Sequence, residues 1–177
     1  MVYRDRKRNR MSGYDYSEDG AYFLTLCTYG RIRLFGKTTE GRLTLNDGGN
    51  MVQQKWIEMM QFYPNIIVDA FCVMTNHIHA ILKIQGNNSC DGTPQRNGTP
   101  QGAFPTMGIP DYMDRFKTLT TRLYIDGVRN NGYIPFERHV WQKSYYDHIV
   151  RNDKEYQSIV RYILTNPSNW KEDKYYI

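Results

Sequence analysis

Residues 73 to 84, VMTNHIHAILKI, place His77 and His79 one residue apart inside an apolar run. Side chains alternate across a strand, so His77, His79, Ile81 and Lys83 share one side, and Ile78, Ala80, Leu82 and Ile84 share the other. The second set is uniformly apolar and is expected to face helices. The first set holds two imidazoles with backbones roughly 6.5 to 7 Å apart, close enough for both rings to reach one divalent ion. An ion needs at least one further ligand. The plainer reading is that one histidine ends the strand exposed while the other bonds a neighbour. Two of the chain's four histidines on one strand face keep both readings open. A histidine-triad hydrolase would want a third histidine where Ile81 stands.

A second candidate lies in EYQSIVRYILTNP near the C-terminus. Tyr156, Ile159, Val160, Ile163 and Leu164 form an apolar stripe at helical spacing. At about 100° per residue, Tyr162 falls well off the centre of that stripe, and Asn166 follows one turn later on the same flank. Phase alone makes Tyr162 one of 15 tyrosines, and Asn166 before Pro167 reads by default as a helix C-cap.

The elements that must carry these residues follow from pattern. AYFLTLCTYG (21 to 30) reads as a first strand, and NDGGNMVQQKWIEMMQFYP as a helix that Pro64 stops. NIIVDAFCVMT and HIHAILKI read as a tight antiparallel pair. Residues 86 to 108 repeat Gly-Thr-Pro-Gln and carry few large apolar side chains, so they are expected to be a loop. A helix is expected from Pro110 and Asp111 to Gly127, then an extended segment in HVWQKSYYDHIV, and a last helix capped by Asn152 or Asp153. That order is the α+β, ferredoxin-like βαββαβ arrangement: an antiparallel sheet with two helices on one face and an extra C-terminal helix for the other.

A chain of 177 residues suits one domain, here 21 to 177, preceded by a basic arm at 1 to 20. The net charge of +5 is concentrated in that arm: Arg4, Arg6, Lys7, Arg8 and Arg10 against Asp5 give +4. Such an arm is either a solvated terminus or a phosphate-binding extension. No apolar run approaches the roughly 20 residues needed to span a bilayer, and the first residues lack a signal-peptide core, so a cytoplasmic protein without a membrane partner is expected. Cys27, Cys72 and Cys90 have no CxxC spacing, which argues against a disulfide framework or a cysteine zinc site.

NHIHAIL resembles the HUH motif, two histidines separated by one bulky apolar residue. WQKSYYDHIVRNDKEYQSIVRYILTNPSNW resembles the signature of the REP-associated tyrosine transposases, a branch of the single-tyrosine HUH transposases. The resemblance runs from Tyr22 to Trp170, and its C-terminal block is far more specific than the histidines. It implies a metal-dependent strand transferase acting on single-stranded or hairpin DNA as a monomer or homodimer. It maps His77, His79 and Asn166 onto a site for Mg²⁺ or Mn²⁺, and Tyr162 onto the nucleophile that forms a 5′-phosphotyrosine. His148 stands where this branch has a histidine, with a catalytic, structural or DNA-contacting role equally open. DNA contacts are expected from the arm and from Arg115, Lys117 and Arg122 on the second helix, with sheet tyrosines able to stack on unpaired bases. Two other readings remain: a non-catalytic nucleic-acid-binding module with an RNA-recognition-like fold, and a nuclease using water.

Overall fold

In β1 (Gly20–Cys27) the buried Tyr22, Leu24 and Leu26 alternate with the other face of the strand. Strand β1 is central: it pairs antiparallel with β5 (His77–Ile84) on one side and β6 (Tyr146–Val150) on the other. Strand β4 (Ile66–Val73) completes the order β4-β5-β1-β6. Helices α1 (Asp47–Met59) and α2 (Ile109–Asn130) pack on one face. Helix α3 (Asp153–Thr165) lies against the other, over β4 and β5. This computed structural model describes residues 15–40, 42–85 and 108–176, so residues 1 to 14 of the arm, with all five of its basic side chains, and nearly all of the 86 to 108 segment lie outside the described residues.

The alternation read in β5 is the alternation observed. Ile78, Ala80, Leu82 and Ile84 join the main core with Trp56 of α1 and Tyr112, Phe116 and Tyr124 of α2. Trp56 is the centre of its aromatic packing, with the Phe116 ring 4.6 Å and the Tyr112 ring 5.6 Å away, both edge-on. On the opposite face Ile81 meets Ala70 and Ile163 in a much smaller cluster.

Two elements depart from the sequence reading. Residues 36 to 45 form a hairpin of β2 (Gly36–Thr39) and β3 (Arg42–Leu45), which the expected order lacked. It leads directly into α1, whose Gly49 packs so close that an added Cβ would stand 2.1 Å from the Phe35 carbonyl oxygen. Helix α2 runs past Gly127 to Asn130. Gly127 is there for close packing, since a Cβ would meet the Tyr133 ring at 2.2 Å, and the left-handed residue beyond the helix is Gly132 at φ +68°. No helix among the described residues is long and apolar enough to cross a membrane.

Because Trp56 is almost fully buried amid aromatic rings, Trp56→Ala should cost about 3 to 5 kcal/mol in urea unfolding. A loss below about 1 kcal/mol would contradict this packing.

Candidate active site

The register of β5 against β1 sets His79 opposite Thr25 and His77 opposite Cys27. Both imidazoles are buried, with ring centroids 4.4 Å apart. His77 Nδ1 lies 2.8 Å from Asn76 Oδ1, and Asn76 Nδ2 is committed as donor to the carbonyls of Arg31 and Tyr175, each at 3.1 Å. Asn76 Oδ1 can therefore only accept, so neutral His77 carries its proton on Nδ1. Its Nε2 is left as a bare lone pair, buried and without a hydrogen-bond partner. His79 Nδ1 is held 2.8 Å from Thr25 Oγ1, which leaves its Nε2 free to face the other functional groups.

Helix α3 begins with Asn152, whose side chain accepts from Glu155 N at 2.9 Å, as its sequence suggested. Ile163 seats the helix between Ala70 and Ile81, and that phase turns Tyr162 toward the histidines. Tyr162 is 38% exposed, and its Oη lies 3.1 Å from His79 Nε2. The same hydroxyl donates to Asp173 Oδ2 at 2.7 Å. Asn166 is both the C-cap of α3 and a buried neighbour of the site: its Nδ2 donates to Asp173 Oδ2, while its Oδ1 is buried with no hydrogen-bond partner.

Asp173 was not legible as a site residue. It follows a single helical turn at Trp170–Glu172, and its Oδ1 accepts from Tyr175 N at 2.6 Å. Its Oδ2 lies 3.5 Å from His79 Nε2. His77, His79 and Asp173 each offer one ligand atom, all within 4.8 Å of one another. Trp170 stacks on the His77 ring at 5.7 Å and Tyr175 lies 4.9 Å from it, closing the site on that side.

Burial, and for His77 the neighbouring His79, push both imidazoles below their ordinary value, so both are neutral near pH 7. Burial of Asp173 opposes ionisation, but bonds from His79, Asn166, Tyr175 N and Tyr162 outweigh it and hold the carboxylate well below its usual range. Burial and the Asp173 bond push the Tyr162 phenol upward, so it rests protonated. Two neutral imidazole nitrogens, a carboxylate oxygen and the orphaned amide oxygen of Asn166 suit a divalent cation.

The other predicted residues lie apart from this cluster. Lys117 and Arg122 line a cavity of about 1280 Å³ between α2 and the 136 to 143 segment, and Arg115 is exposed on the same helix. His148 on β6 bonds Glu155 Oε1 at 2.7 Å, bracing β6 against the first turn of α3.

No protein-family model matches the chain. An uncharacterised protein of Haemophilus influenzae is 37% identical over 177 residues, covering 97% of this chain and 93% of the relative. A second protein of that organism, named "Putative REP-associated tyrosine transposase", is 24% identical over 159 residues, covering 89% of this chain and 76% of its own. A solved REP-associated tyrosine transposase bound to a REP hairpin shares the fold, with a TM-score of 0.59 at 20% identity, over 93% of this chain and 77% of that one. The chain is similar to REP-associated tyrosine transposases in sequence and in fold. The four-stranded antiparallel sheet with helices found here matches the fold of that solved transposase.

In the metal-free protein, the unfolded chain takes up protons at His77 and His79 below their ordinary value of 6.5 while the folded chain does not. Unfolding midpoints in denaturant with a chelator present should therefore fall as pH drops from 7 to 5. The fall should shrink in a His77→Gln, His79→Gln double variant. An equal fall in both proteins would contradict the buried neutral pair.

Proposed function

We propose that this chain is a DNA strand transferase that cuts and rejoins single-stranded or hairpin DNA through a 5′-phosphotyrosine on Tyr162. The observation that carries this reading is the placement of Tyr162 Oη 3.1 Å from His79 Nε2, beside the His77, His79 and Asp173 donors. The hairpin held by the solved relative supports the substrate class.

The chemistry follows from these groups. Tyr162 Oη attacks phosphorus, a Tyr–O–P bond forms, and the P–O3′ bond breaks to leave a 3′-hydroxyl. The phenol proton leaves along the existing bond to Asp173, and the departing O3′ takes up a proton. The phosphodiester energy is kept in the tyrosine ester, so the 3′-hydroxyl of another strand can attack it and rejoin DNA. A divalent cation bound here would neutralise charge on the scissile phosphate and, by its field beside the phenol oxygen, favour the phenolate.

His77 and His79 would hold that cation, with Asp173 or the orphaned Oδ1 of Asn166 as oxygen donor. Mg²⁺ and Mn²⁺ are the candidates, and the two imidazoles favour Mn²⁺, since Mg²⁺ prefers all-oxygen ligation. Arg4, Arg6, Lys7, Arg8 and Arg10 of the arm, and Arg115, Lys117 and Arg122 of α2, would contact DNA phosphates in the cytoplasm.

Incubating a hairpin oligonucleotide with the protein and Mn²⁺ should yield a covalent protein–DNA band on a denaturing gel. Tyr162→Phe should abolish both the band and cleavage. A cleaved product without the band, retained by Tyr162→Phe, would overturn the tyrosine mechanism in favour of water as nucleophile.

A further inference from the structure

The sheet face that carries His79 is covered unevenly. Helix α3 lies over β4 and β5, whereas β1 and β6 border a groove of about 710 Å³. Cross-strand partners share a face, so Thr25, paired with both His79 and Tyr146, puts Tyr146 on the catalytic side; Phe23, paired with His148, follows two residues along. Phe23 is the wall shared by groove and active site. Its ring stacks 5.4 Å from His79, meets Tyr162 edge-on at 6.2 Å, and meets Tyr146 edge-on at 6.3 Å.

The groove's rim is basic. Arg151 and Lys154 are exposed along it, while its acid, Glu155, is already engaged by His148 and by Arg151 N at 2.8 Å. Lys174 of the C-terminal turn lies over the Tyr146 ring, 4.9 Å from its centroid. Apolar ring faces beside exposed cations, next to the proposed nucleophile, match an unpaired nucleotide, which offers one flat base and one phosphate.

We propose that this groove binds the unpaired nucleotide adjoining the cleaved phosphodiester, its base against Phe23 and Tyr146 and its outer phosphate on Arg151 and Lys154. The proposal rests on the strand-transferase reading for what is cleaved, but binding in the groove can be measured without cleavage. On binding, the base displaces Lys174 from the Tyr146 ring, and that ammonium turns to the phosphate. Aromatic faces read no hydrogen-bonding edge, so the groove accepts any base.

The test uses the full chain and fluorescent single-stranded oligothymidylate carrying one 5-iodouracil. Tyr146→Ala should weaken equilibrium binding about tenfold, and Tyr146→Phe should retain it. Light-induced cross-links should map to Tyr146 or Phe23. Tyr146 is 37% exposed, and unchanged thermal unfolding of both variants checks that the fold survives. Unchanged affinity in Tyr146→Ala, absence of binding by the unsubstituted chain, or cross-links confined to other segments would overturn the proposal. If the hairpin assay gives no covalent band while these results hold, the tyrosine mechanism fails and the groove stands.

Discussion

Asp173 Oδ2 accepts from Tyr162 and Asn166 and lies 3.5 Å from His79, so one buried carboxylate joins the C-terminal turn, helix α3 and strand β5. A buried charge is stable only where its lone pairs are satisfied, and here Tyr162 and Asn166 come from α3, His79 from β5 and the Tyr175 backbone N–H from the C-terminal turn. The apolar side of the arrangement is thin, since Ile163 is the one residue buried along α3. Where Tyr162 sits is therefore set as much by this polar knot as by packing. Removing the carboxylate would loosen the helix and empty one donor position together.

The same knot fixes the resting chemistry. Tyr162 is kept as a phenol, the imidazoles are kept neutral, and Asp173 is kept ionised. Such a cluster is short of positive charge, which is what a divalent ion would supply. The orphaned nitrogen of His77 and oxygen of Asn166 mark where the hydrogen bonding is incomplete without it. Phe23 separates this centre from the open groove, so one aromatic ring borders both Tyr162 and the groove.

Much of this was legible in the sequence because it rests on period. The alternation in HIHAILKI put both histidines on one face, and the helical stripe through Ile159 and Ile163 set Tyr162 to its flank. The hairpin at 36 to 45 was missed because each of its strands spans only four residues, with weak alternation around Glu40. Asp173 was missed for a different reason. Its role depends on a one-turn segment folding back on β5, and a carboxylate beside Glu172, flanked by Lys171 and Lys174, carries no spacing that announces a contact with His79. Asn166 illustrates the overlap of roles, since the cap legible from Pro167 and the site neighbour are one side chain.

The most direct measurement is anomalous diffraction from crystals soaked in Mn²⁺. It should show one ion bonded to His77 Nε2 and His79 Nε2, with an oxygen of Asp173 or Asn166 beside it and the Tyr162 hydroxyl alongside. An ion bound away from both histidines, or none bound at saturating Mn²⁺, would contradict the site.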